Sequence, residues 1–346
     1  MLKENYYNRE DKMMKAIAST AAAVTLALTS FVAGAADFKP AVAYDVTGKY
    51  DKSFNQAVFE NGVTQFNNDK GMKIREFEPA NDAQREQGLE RLAKRGFNPI
   101  VVVGFMYGTA LEKVAKKYPD SQFVIIDSVV DLPNVKSIVF KEHEGSFLVG
   151  ALAAMKSESK KLGFVGGMDI PLIRKFACGY EQGAKFVNKD AEVFQNMTGS
   201  TVAAWNDPAR GSELAKSQFT KGADVVFAAA GGTGVGVYQA AKDEGKFAIG
   251  VDSNQNYLHP GIMLTSMVKR VGLATYEMFA DAQNGKWDAG INALGLKENG
   301  VGWALDDYNR SLVSPEMEKQ LNDIAAKIKS GDIVVHDYMS DNTCKY

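Results

Sequence analysis

From residue 41 onward, short continuous apolar runs alternate with longer segments whose apolar residues recur every three or four positions. PAVAYD, MKIREFEP, PIVVVG, QFVIID and VKSIVF are separated by helical patterns opening at Phe54, at DAQREQGLERLAKRG and at TALEKVAKKYP. Continuous apolar strands interleaved with helices predict a parallel sheet buried on both faces. Near residue 143 the pattern starts again. KLGFVGG, AEVFQNMT, ADVVFAAA, KFAIGVD and GIMLTSMVKR alternate with IRKFACGYEQGAKFVN, PARGSELAKSQFTKG and GVGVYQAAKDEG. Two successive blocks of similar order predict two similar, Rossmann-like α/β lobes.

Two further helices, VGLATYEMFADAQNG and SPEMEKQLNDIAAKIKSG, follow both blocks and are expected to return to each lobe in turn, leaving several crossovers and a hinge. In the second, Ser314 is the expected cap and Pro315 the first helical residue, with Met317, Leu321, Ile324 and Ile328 on one face. The expected division is a first lobe over 37–143 plus about 268–298, and a second over 144–267 plus about 299–346.

The helix after the first strand opens with DKSFNQAVFENG. Ser53 is the expected N-cap, and Phe54, Val58, Gly62 and Phe66 recur at helical spacing. Phe54 is a large aromatic in a first turn, where such residues usually fill the core or staple the helix. The pattern alone leaves open whether it instead walls a site.

Ligands of open parallel sheets bind outside the carboxyl ends of the strands. Those ends carry Asp45, Gly104–Phe105 and Asp127 in the first lobe. In the second, Phe227 lies in a strand running into AGGTGVG, Asp252 ends KFAIGVD, and Lys269 follows the last strand. Singly, each has a plain structural use: a strand-end Asp caps the next helix, the glycines make a turn, and Phe227 fills the core. Core packing does not require polar groups at several strand ends together.

Composition narrows the function. A chain of 346 residues with net charge −2 offers no basic surface for nucleic acid or anionic membranes. Lys12 and Lys15, an apolar run and small residues around Ala33–Ala36 predict an export signal over 1–36, cleaved after Ala35 or Ala36, with translation starting at Met13 or Met14. No Cys follows the small residues, so the mature chain is expected free in the periplasm and not a lipoprotein. Cys178 and Cys344, the two thiols, either pair or stay free and inert. Three scattered histidines make no metal-ligand spacing. The sequence lacks G-x-S-x-G, H-E-x-x-H and G-x-x-x-x-G-K-[ST], and GGTGVG does not match the dinucleotide fingerprint. A small-molecule clamp without cofactor or metal, monomeric and not an enzyme, is the expected function.

YDKSFNQ, GALAAM, GFVGGMDIP, AGGTGVGVYQAAKD, GVDSNQ and TSMVKR together resemble the basic membrane protein family of ABC-importer substrate-binding proteins, which includes purine nucleoside receptors. The resemblance runs from about residue 38 to the end and implies a type I periplasmic-binding-protein fold, two hinged lobes closing on one ligand, with an ABC permease as partner. It implies that Phe54 and Phe227 stack on a nucleobase and that Asn55 and Asp127 bond its edge. Asp252 and Lys269, with Asp45, would hold ribose hydroxyls, and the backbone around Gly231–Gly232 would add a donor. Gly104, at its strand end, is a further expected ligand-binding residue. The expected ligand is guanosine, inosine or adenosine. Another ring compound, a chemoreceptor partner or a secreted nucleoside-processing enzyme are the alternatives.

Overall fold

The computed structural model describes residues 38–346. The expected export signal and start methionines lie outside the described residues. Two six-stranded sheets organise the chain. In the first, β11 (Gly290–Leu294), β5 (Val135–Phe140), β4 (Phe123–Ile126), β3 (Ile100–Val103), β1 (Ala41–Ala43) and β2 (Arg75–Phe77) lie side by side, all parallel. The second runs β12 (Val301–Trp303), β10 (Met263–Lys269), β9 (Phe247–Asp252), β8 (Val225–Ala229), β6 (Lys161–Met168) and β7 (Glu192–Gly199), with only β12 antiparallel.

The central strands are buried throughout, which is why they read as unbroken apolar runs such as IVVV and FVII. On one face of the first sheet, the helical run α1 (Phe54–Ala57, a π-helical Val58–Thr64, and Gln65–Lys70) packs against α8 (Val271–Gln283), where the Phe66 ring meets Tyr276 and Phe279 at 5.3 and 5.5 Å. On the other face, α2 (Ala83–Lys94) and α3 (Gly108–Lys117) bury Leu89, Leu92, Leu111 and Val114 against Ile100, Val102 and Ile125. The second sheet is covered by α4 (Glu142–Lys156), α5 (Pro171–Val187) and α9 (Pro315–Ser330) on one side and by α6 (Pro208–Thr220) and α7 (Gly234–Asp243) on the other. Helices α4 and α5 approach so closely that a Cβ on Gly150 or Gly183 would collide with the carbonyl of Tyr180 or Phe147.

The chain passes between the lobes three times: after β5, after β10, and between β11 and β12. Neighbouring crossovers are hydrogen-bonded, with the Lys141 amide donating to the Leu294 carbonyl and the Arg270 amide to that of Gly300. Strands β11 and β12 and helix α4 are elements that the apolar pattern did not predict. The two strands are short and border their sheets, and α4 is apolar all round, so neither shows a one-sided periodicity. Ser314 caps α9 as expected, accepting from the Met317 amide at 3.2 Å, with Pro315 at the first turn. Ser53 does not cap α1. Asp51 does, accepting the amides of Ser53, Asn55 and Gln56 at 2.9–3.0 Å.

In both sheets, successive connections leave the first strand in opposite directions: β2 and β3 flank β1, and β7 and β8 flank β6. Each such point opens a crevice at the strands' carboxyl ends.

Candidate functional site

The two crevices share one cleft lined by residues of both lobes. From the first lobe come Asp45, Thr47, Asp51, Phe54, Asn55, Gly104, Phe105 and Asp127. From the second come Leu172, Ile173, Phe176, Trp205, Ala229, Ala230, Gly231, Val251, Asp252 and Lys269. Phe54 thus stands on the cleft wall in the first turn of α1. Phe105 and Trp205 meet edge-on across the lobes, ring centres 6.4 Å apart.

The polar floor is an ion chain. Lys269, buried at the end of β10, donates to Asp127 Oδ2 at 2.6 Å and lies 2.9 Å from Glu142 Oε1. Its ammonium is 5.2 Å from the centre of the Phe54 ring, 5.0 Å from Phe140 and 5.7 Å from Phe176. Glu142 in turn meets Lys175 at 2.9 Å, and Lys175 lies 3.4 Å from Asp337. Burial works against the Lys269 charge, but Asp127, Glu142 and Asp252 outweigh it and hold the ammonium above its usual range. Burial pushes the Asp127 carboxyl up despite Lys269, and pushes Asp252 up to about 7 against the pull of Lys269 and Ser53.

Asp127 and Asp252 occupy matching positions, each at a strand end with positive φ (68° and 65°), a conformation that costs a non-glycine residue energy and gathers at ligand sites. Asp127 Oδ1 is buried with no hydrogen-bond partner among the described residues. A buried carboxylate oxygen without a donor is costly, and here it borders the cleft. That geometry suits a ligand hydroxyl or N–H.

Asp45 and Asn55 line the cleft with most of their polar capacity engaged. Asp45 Oδ1 takes Arg85 and the Val46 amide, both at 2.7 Å. Asn55 accepts from the Asp45 amide at 3.2 Å and donates to Thr47 Oγ1 at 2.7 Å. Asp45 Oδ2 takes no hydrogen bond among the described residues.

Two predicted residues are not brought there. Phe227 is fully buried in the middle of β8, its ring packed on Phe164 at 5.5 Å and on Tyr180 at 5.4 Å. A central strand covered on both faces buries its side chains in either direction. Gly232 sits one residue beyond the cleft lining, near Asn206 and the Trp205 carbonyl, and Gly231 is the glycine that borders the cleft. The aromatics that the strand-end rule missed on the second lobe are Phe176 and Trp205. Phe176 lies in the second turn of α5, which begins at the carboxyl end of β6. Pro171 marks that helix start in the sequence and was the available signal. Trp205, in the 3₁₀ turn Val202–Trp205, follows β7. The two cysteines, left open by the sequence, are joined, with Cα atoms 5.3 Å apart.

Among the described residues, no group of three or more His, Cys, Asp or Glu side chains is arranged for a metal ion, and no helix is long and apolar enough to cross a membrane.

The family described as "ABC transporter substrate-binding protein PnrA-like" matches residues 38–338. An uncharacterized lipoprotein of Pyrococcus horikoshii is 34% identical over 337 residues, covering 86% of this chain and 83% of the relative. The ABC transporter nucleoside-binding protein BmpA of Lactococcus lactis is 32% identical over 321 residues, covering 86% of this chain and 87% of its own. Among solved structures, a solute-binding protein of an ABC transporter system from Aeropyrum pernix superposes with a TM-score of 0.79 at 29% identity, over 86% of this chain and 94% of that one. The two-lobed type I binding-protein architecture is therefore shared. One expectation is overturned. The Pyrococcus relative is named a lipoprotein, so the expectation of a chain without a lipid anchor does not stand. An extracytoplasmic location is what the relatives support.

Proposed function

Because this chain belongs to the PnrA-like family of ABC-transporter substrate-binding proteins, we propose that it captures a purine nucleoside between its two lobes and hands it to a permease. The observation that carries this reading is the pairing of aromatic walls with an acceptor that lacks a donor. Phe54 and Phe105 from the first lobe and Phe176 and Trp205 from the second line the cleft, and base stacking on such rings is worth about 1–3 kcal/mol per base. Below them, Asp127 Oδ1 has no protein donor, and Asp252 keeps one oxygen beyond its bond to Ser53. Ribose hydroxyls and base N–H groups are donors that match carboxylate oxygens. Lys269 offsets the carboxylates, which favours an uncharged ligand over a phosphorylated one.

Thermal melting with guanosine, inosine, adenosine, the free bases and ribose tests the proposal. A nucleoside at 100 times its Kd is expected to stabilise the fold by about 2.7 kcal/mol through mass action, with free base or sugar alone doing less. An unchanged melting temperature across the panel rejects the ligand and leaves the fold untouched.

A further inference from the structure

We infer that Ser53 and Gln255 form a latch between the lobes that sets how long the captured ligand stays bound. The inference rests on the ligand-capture reading above, but neither residue lines the cleft. Ser53 belongs to the first lobe, and its hydroxyl donates across the gap to Asp252 Oδ2 at 2.5 Å. Gln255 belongs to the second, and its Nε2 donates back to the Lys52 carbonyl at 2.7 Å, with Ser253 Oγ at 3.5 Å from the same oxygen.

Both halves are built for this contact. On the first lobe, the Asp51 carboxylate gathers three amides of the following turn, and the Lys52 amide donates to Gln56 Oε1 at 3.1 Å. The turn thereby holds Lys52 at φ 63°, a left-handed conformation that a lysine adopts only when its surroundings fix it. On the second lobe, the Gln255 amide has one possible orientation. Its Oε1 accepts both the Val251 amide and the Tyr238 hydroxyl at 2.8 Å. An oxygen facing two donors leaves the NH₂ end to face Lys52. The Gln255 backbone amide is tied to Ser266 Oγ at 2.9 Å. The strand beneath makes room, since a Cβ on Gly250 would stand 2.6 Å from Gln255 Oε1.

Asp252 joins latch and site. One of its oxygens takes Ser53, and the other has no protein donor among the described residues, so it is left for the ligand. A ligand donor on that oxygen fixes the carboxylate in the pose that Ser53 needs, so occupancy and closure support each other. Interactions made only in the closed state act on dissociation more than on association.

Two variants test this. Ser53→Ala removes the donor, and Gln255→Glu keeps the acceptor for Val251 and Tyr238 while turning an oxygen toward the Lys52 carbonyl. Small-angle scattering of the unliganded proteins is expected to show a larger radius of gyration in both variants than in wild type, with Ser53→Thr restoring the compact form. Stopped-flow fluorescence with inosine is expected to show about tenfold faster dissociation in both, an unchanged association rate, and recovery in Ser53→Thr. Identical scattering in wild type and both variants overturns the latch, as does inosine binding with an unchanged dissociation rate. Should inosine bind none of these proteins, the nucleoside reading falls and scattering alone decides the latch.

Discussion

Lys269 of the second lobe and Asp127 of the first form a buried ion pair across the cleft, Nζ to Oδ2 at 2.6 Å. The pair closes a chain of alternating charge that continues through Glu142 and Lys175 to Asp337. It lies beside two of the crossovers, one residue before Arg270 and, at Glu142, one residue after Lys141. One cation therefore serves the cleft floor and the junction between lobes at once.

Removing that cation strands the buried Asp127 carboxylate and leaves Glu142 with Lys175 alone, and an uncompensated buried charge costs about 3–5 kcal/mol. Lys269→Met is expected to lower stability by that amount, read as the shift in urea midpoint at constant m-value. A loss under 1 kcal/mol would show that water reaches the carboxylates and that the chain carries little of the fold.

Phe54 and Phe227 should separate cleanly. Phe54 walls the cleft, so Phe54→Ala is expected to weaken nucleoside binding by about 1–3 kcal/mol. Phe227 is core, so Phe227→Leu is expected to cost about 1 kcal/mol of stability and to leave the Kd within threefold. Calorimetric titration of both variants decides between them. The reverse pattern, affinity lost at Phe227 and kept at Phe54, would falsify the placement of the aromatic walls.

The lobes, the alternation of strands and helices, and the acids at strand ends were legible because central parallel strands are buried on both faces and therefore apolar without interruption. The same property hid the error at Phe227. In such a strand, nothing in the sequence distinguishes a ring that fills the core from one that emerges at the strand end, and β8 ends two residues later at Ala229. Phe176 and Trp205 were invisible to a rule that inspects strand ends, because they reach the cleft from a helix and a 3₁₀ turn. Ser53 was expected as a helix cap on local pattern, and its hydroxyl instead bonds a residue 199 positions away. Local rules locate the donor, and only tertiary structure assigns its acceptor.

Binding should depend on pH through Asp252. Burial raises its carboxyl to about 7 in the free closed protein, far above the unfolded value. The fold then holds a proton that the unfolded chain lacks between about pH 4 and 7. This contribution to stability is present below that window and is lost as pH rises through it. On the proposed reading, a ligand hydroxyl donating to the carboxylate expels the proton below pH 7. Affinity is expected to climb between pH 5.5 and 7 by up to tenfold per unit and to level off above. Burial also raises Asp51 and Asp127, in the same sense, while Lys269 and Lys175 hold Glu142 low against its burial. Titrations in buffers of different ionisation enthalpy count the protons released. Asp252→Asn should flatten the profile, and a variant that keeps the full slope would assign it to another group.

The Cys178–Cys344 bond ties the end of the chain to α5, the helix that carries Phe176 and Lys175. It closes a span of 166 residues, and cross-links over long spans restrict the unfolded chain most. The tail has other attachments. Gln182 exchanges two hydrogen bonds with the His336 backbone at 2.9 Å, and the Tyr346 hydroxyl donates to Glu181 at 2.8 Å. None of these residues lines the cleft. Cys344→Ser is therefore expected to lose about 2–5 kcal/mol of stability while keeping its ligand affinity within threefold at 25 °C, because the noncovalent contacts still seat the tail in the native state. Urea denaturation with and without reductant, paired with calorimetric titration, measures both quantities. An unchanged midpoint would mean the bond does not constrain the unfolded chain, and a large loss of affinity at unchanged stability would place the tail in control of α5 and hence of the Phe176 wall.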